Sequence, residues 1–152
     1  MERLFLKIIK IAVHQSIPNK KDKVNNMTQN KYYKFNSQDE KIVKVFSDLG
    51  MPRNLAKTLM YISETEECRS AEIEHGANLR QPEVSVAMQL LQNKGWISKR
   101  DLKKKGKGRP VHLYKLTSPI NDIIRSFEKE KLKQIDNIKT DLEELKTLIG
   151  SR

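Results

Sequence analysis

The chain of 152 residues has one cysteine, Cys68, so no disulfide can close within it. That fits a reducing interior, and the cytoplasm is the expected compartment. No apolar run approaches the roughly 18 residues that a spanning helix needs, so no membrane span is expected. There is no nucleophile elbow, phosphate loop or HExxH helix. The histidines, His14, His75 and His112, are scattered. Cys68 and His75 alone cannot complete a metal site without ligands from a partner chain. These absences point away from an enzyme and away from any cofactor or metal. A redox role for Cys68 stays open, because its surroundings, Glu64 to Ser70, read as a polar connector.

What the chain has instead is positive charge. Its formal net charge is +11, and a domain that basic usually meets a polyanion, nucleic acid or a membrane surface. The excess is concentrated. Residues 1–36 carry 8 basic and 2 acidic side chains, and residues 99–109 carry 7 and 1. Residues 37–98, with 7 basic and 9 acidic, are slightly negative, and the tail 119–152 balances at 7 and 7.

Residues 1–36 read as an N-terminal amphipathic segment and a polar linker. In the first part Leu4, Ile8 and Ile11 share a helical face. Charges inside the apolar stretch and the lack of a small-residue cleavage site argue against a signal peptide. Three readings stay open: a helix packing on the body or on a partner chain, an extension upstream of a native start at Met27, or a membrane-surface helix. Residues 18–36, rich in Asn and Lys, hold little that can form a core.

Residues 37–118 read as the folded domain. Ser37-Gln38-Asp39-Glu40 has the spacing of a capping box. Ile42, Val43, Val45, Phe46 and Leu49 follow at helical spacing, and Gly50 ends the helix. Met51-Pro52 opens a second helix with an apolar stripe through Leu55, Ala56, Leu59, Met60 and Ile62. Ser70 can cap a third, short helix that carries Ala71 and Ile73 toward the core, and Gly76 to Asn78 form a turn. A fourth helix, 81–94, opens at Gln81-Pro82, with Val84, Ala87, Met88, Leu90 and Leu91 expected inward. Its other face shows Gln81, Ser85, Gln89 and Gln92, with Val86 beside them. Two strands follow, 96–102 and 111–116, joined by a tip that holds Lys103, Lys104, Lys105, Lys107 and Arg109 among glycines and Pro110.

Helix, turn, helix, hairpin is the layout of a winged helix-turn-helix. The expected fold is mainly α with a small β-hairpin (α+β). A helix presenting amides and a hydroxyl suits base edges in a major groove. A basic hairpin tip at 103–110 suits the phosphate backbone. Its Gly-Arg-Pro triplet also resembles the minor-groove core of AT-hook peptides, in which an extended backbone lets arginine enter a narrow groove.

The tail, 119–152, reads as one long helix after Ser118-Pro119. Ile120, Ile123, Ile124 and Phe127 form a first stripe. Ile135, Ile138, Leu142, Leu145 and Ile149 alternate steps of three and four, the spacing of a coiled-coil seam. The seam breaks between them at Glu128 and Lys131. The expectation is a C-terminal dimerisation helix using Ile124, Phe127, Ile135, Ile138, Leu142, Leu145 and Ile149, and hence a homodimer.

Four segments, LGMPRNLAKTLMYI, SAEIEHGANL, VSVAMQLLQNKGWI and GRPVHLYKLT, together resemble the archaeal-type winged helix-turn-helix transcriptional regulators of the TrmB/MarR-like group, over roughly residues 40 to 117. The resemblance implies a sequence-specific regulator of double-stranded DNA. Carried over by position, the DNA-facing candidates are Arg80, Gln81, Ser85, Val86 and Gln89, with Lys103, Lys104, Lys105, Lys107 and Arg109 in the wing. Family members often have a basic residue where Val86 stands. Only 35 residues follow Thr117, so the long effector domain of sugar-sensing TrmB proteins is not expected. The alternative is a winged-helix interaction module of a larger complex, binding RNA or an acidic protein.

Overall fold

The computed structural model describes residues 33–102 and 106–152. Residues 1–32, with the amphipathic segment, most of the linker and the candidate start at Met27, lie outside the described residues. So do Lys103, Lys104 and Lys105.

The element order is α1 (Ser37–Asp48), α2 (Arg53–Ser63), α3 (Ser70–Gly76), α4 (Gln81–Asn93), β1 (Ile97–Leu102), β2 (Val111–Leu116) and α5 (Ile120–Gly150). Among the described residues, five helices and an antiparallel hairpin make the α+β winged helix-turn-helix that the residue order predicts. The described residues divide into two compact units between Thr117 and Ser118.

In the first unit α2 is the centre. It packs against α1, α3, α4 and strand β2. Leu55, Ala56, Leu59, Met60 and Ile62 are buried as expected, and so are Thr58 and Tyr61. A helix surrounded on most sides cannot keep a polar face. Its buried hydroxyl at Thr58 therefore donates to the Asn54 carbonyl at 2.8 Å. Each large aliphatic residue buried here contributes about 1.5–3 kcal/mol.

The caps of α1 and α3 differ from the sequence reading by one residue. Asn36, not Ser37, caps α1: its Oδ1 accepts from the N–H groups of Gln38 and Asp39 at 2.8 and 3.0 Å. Asp39, not Glu40, reaches back, accepting the Asn36 N–H at 2.9 Å. Tertiary contacts decide the shift. Asp39 is buried and also accepts the Tyr33 hydroxyl, while Glu40 is drawn off to Arg53 at 2.7 Å. Ser70 likewise lies inside α3, with Arg69 at the cap position and Glu72 accepting the Arg69 N–H at 2.7 Å; of the two residues expected inward on this helix Ile73 is buried and Ala71 is exposed.

The linker reading also ends early. Residues 33–36 form a strap on the domain. The Tyr33 ring meets those of Phe35 and Tyr61 edge-on, at 6.4 and 5.8 Å between centroids, and Phe35 N–H donates to the Gly76 carbonyl at 3.2 Å. Burial, then the hydrogen bond and charge of Asp39, push the Tyr33 hydroxyl well above the usual tyrosine range, so it stays a donor.

Cys68 sits on an added bridge beside the hairpin. Its N–H donates to the Tyr114 carbonyl at 3.0 Å, and Tyr114 N–H donates back at 2.9 Å. The side chain is buried, which pushes the thiol up to about 11. This corrects the redox reading, since the thiolate is the reactive form. The folded protein should resist iodoacetamide at pH 8 and react on unfolding. Labelling of the native chain at the rate of a free thiol would contradict the burial.

Candidate nucleic-acid interface

Helix α4 is placed by local chemistry at both ends. Asn78, with φ of 52°, turns the chain after α3; asparagine tolerates that left-handed conformation better than most residues. Arg80 stands at the cap position, and Glu83 accepts its N–H at 2.7 Å. Glu83 also takes Asn54 Nδ2 at 3.2 Å, tying the helix start to α2. At the far end Gly95, with φ of 74°, reverses the chain, and Trp96 N–H donates to the Leu91 carbonyl at 3.1 Å. Trp96 is buried, with the Lys94 ammonium 4.9 Å from its ring centroid.

The inward face of α4 is Val84, Ala87, Met88 and Leu91. Leu90, expected inward, is instead 41% exposed. It lies one position beyond the arc that α2 covers, because the core side of a helix spans only part of its circumference.

Gln81, Ser85, Gln89 and Gln92 are exposed together. With Ser70 and Glu74 of α3 and Tyr114 of β2 they line one polar groove of about 410 Å³, floored in part by Met88. Gln92, which the DNA-facing set omits, belongs to this face by the same helical spacing. Arg80 is exposed at its N-terminal edge. Val86, 59% exposed, borders a different, apolar groove of about 370 Å³ with Pro52, Leu55, Pro82, Ala87 and Leu90. The structure thus brings Gln81, Ser85 and Gln89 into one groove and sets Val86 at the edge of another.

The hairpin pairs Ile97 with Leu116 through Leu102 with Val111. Only Ile97 of the two strands is fully buried; Leu102, Val111, Leu113, Tyr114 and Leu116 are half-buried, so the wing is less of a core element than its apolar residues suggest. Two side-chain contacts brace it. Arg100 donates twice to Glu67, at 2.6 and 2.6 Å, which holds the Glu67 carboxyl below the usual range. Asp101 faces its cross-strand partner His112, 2.6 Å from Nδ1. Arg100 is therefore committed to the fold, and Glu67 is no mere solvated connector. The tip residues Lys107 and Arg109 are exposed.

In the second unit α5 runs unbroken for 31 residues. Ile135, Ile138, Leu142, Leu145 and Ile149 are all exposed, Ile138 at 58% and Ile149 at 63%. Leu148, at 59%, joins them. Phe127 is buried and Ile124 half-buried, so these two differ from the downstream seam. Among the described residues no group of His, Cys, Asp and Glu is placed to hold a metal, and no helix is long and apolar enough to cross a membrane.

No protein-family model matches the chain, and no protein of curated function matches it in sequence. Solved structures do. A possible transcriptional regulator from Methanosarcina mazei Go1 superposes with a TM-score of 0.53 at 15% identity, over 70% of this chain and 88% of that one. TrmBL2, an archaeal chromatin protein whose structure shows a novel mode of DNA binding, superposes at 0.49 and 15% identity, over 74% of this chain and 42% of its own. NMB1585, a MarR family regulator from Neisseria meningitidis, superposes at 0.42 and 17% identity, over 74% and 85%. The first of these likenesses shows the winged-helix fold.

Proposed function

We propose that this chain is a sequence-specific double-stranded DNA-binding transcriptional regulator that works as a cytoplasmic homodimer. One observation carries the DNA reading: an outward helix face of glutamines and serine and an exposed basic wing tip, Lys107 and Arg109, belong to the same compact unit. The helix has the width and chemistry for a major groove, and the wing for the flanking backbone or minor groove. Arg80 would contact phosphate at the helix start. Residues 37–118 then form the DNA-binding domain and 119–152 the dimerisation helix. The exposed seam of α5 supports the dimer, because contiguous apolar surface of that kind marks an interaction site.

The test is selection of bound duplexes from a random pool in excess competitor DNA. Enrichment of one sequence class supports the reading. Equal retention of all duplexes, or preference for RNA or an acidic protein, would put an interaction module in its place.

The wing has its own prediction. Each cation that neutralises a phosphate releases counterions, so affinity falls steeply with salt. Lys107→Ala and Arg109→Ala should each reduce the salt slope by about one, as should alanine at Lys103, Lys104 or Lys105 wherever that lysine meets a phosphate. A slope unchanged in all of these variants takes the wing out of the interface.

A further inference from the structure

The residues of α4 bear on which base pairs it reads. Residues 81–93, QPEVSVAMQLLQN, contain no lysine or arginine. Bidentate recognition of guanine O6 and N7 is a task for those two side chains, so this helix lacks the usual guanine reader. What it exposes toward the polar groove is Gln81, Gln89 and Gln92, with Ser85 between them. A glutamine amide offers a donor and an acceptor side by side, the complement of adenine N7 and N6. The helix's one acid is unavailable: Glu83 is half-buried and held by the Arg80 N–H and Asn54.

Val86 fits the same pattern. It is 59% exposed, at the edge of the apolar groove that it shares with Pro82 and Leu90. At 100° per residue it lies about 60° around the helix from Gln89, and Leu90 about 40° further. It therefore sits on the flank of the amide row, where its methyls can meet the C5-methyl that only thymine presents in the major groove.

We infer that the recognition helix reads A·T pairs, with Gln81, Gln89 and Gln92 directed to adenines and Val86 to a thymine methyl. The inference rests on the DNA-binding reading above. Glu74, across the groove on α3, is an acceptor only and adds at most a cytosine N4 contact. Arg80, exposed at the helix start, is assigned to the phosphates under the same reading.

Three measurements on the full chain test this. Random-pool selection should return a core of A·T pairs. If no sequence is enriched, the DNA-binding reading fails and this inference with it. If guanine is fixed in the core and relaxes in Arg80→Ala, DNA binding stands and the A·T inference is overturned. Deoxyuridine is then placed for each thymine of the selected duplex in turn. One replacement should weaken wild-type binding roughly fourfold, the worth of one buried methyl, and Val86→Ala should bind both duplexes equally. No loss at any thymine, or the same loss in Val86→Ala, removes Val86 from base reading. Finally, Gln89→Glu, at an exposed position that leaves the fold intact, should move the preference at one position from adenine to cytosine. A carboxylate accepts only from cytosine N4, and the swing should be about 5- to 150-fold. An unchanged preference there would take Gln89 out of base reading.

Discussion

The double variant Leu142→Lys, Leu145→Lys should be a folded monomer that has lost most of its operator affinity. Leu142 and Leu145 are 51% and 52% exposed on α5, in a row with Ile135, Ile138 and Ile149. Covering such side chains is worth about 1.5–3 kcal/mol each, which under the proposed dimer a second copy of the same helix would supply by knobs-into-holes packing. Lysines at both positions would bring four like charges into one short seam. The first unit contains neither residue, so its melting should be unchanged. Loss of linkage between two half-sites about 34–36 Å apart should lower affinity by two or more orders of magnitude. Sedimentation decides it. Wild-type chain that runs as a monomer at micromolar concentration would remove the dimer, and with it the palindromic operator.

Gly76→Ala should be the most damaging conservative change in the first unit. A Cβ at this position would overlap the ring edge of Tyr61 and the carbonyl oxygen of Tyr33. Neither can retreat easily. Tyr61 is 1% exposed, and the Tyr33 backbone is held by the Phe35 bond to Gly76 and by its own hydroxyl on Asp39. Overpacking a rigid site costs about 1–3 kcal/mol, and losing the strap takes the change to the upper end. For a unit of this size that lowers the melting temperature by about 10–20 °C. Gly95→Ala provides the contrast. Nothing lies within 4 Å of a Cβ there, and the penalty comes only from φ of 74°. A Gly76→Ala melt within 3 °C of wild type would show that the strap does not pack as described.

Much of this architecture is readable along the chain, because helical and strand periods are local. The stripe Leu55, Ala56, Leu59, Met60, Ile62 needs only the i, i+3, i+4 geometry of one helix to be seen. Likewise Lys94-Gly95-Trp96 marks the exit from α4, and the lysine-glycine run between two short apolar segments marks a hairpin tip. The chemistry of the α4 face is also a property of local spacing, since residues four apart share a side.

By itself, then, the sequence determined the order helix, turn, helix, hairpin, long helix, the concentration of charge in the wing, and the amide character of the outward α4 face. The tertiary structure alone decided what depends on partners distant in sequence. Tyr33 and Phe35 sit among asparagines and lysines with no period to betray them, yet they pack against Tyr61 and Gly76, dozens of residues away. That contact, through Asp39, moved the α1 cap to Asn36. Cys68 is buried because Tyr114 pairs with it, and Leu90 is exposed because α2 covers only part of the α4 circumference. Arg100, one more cation in a basic run, is bound at the wing's base by Glu67. In each case periodicity says which residues share a face, but only the neighbouring element says how much of that face loses its water.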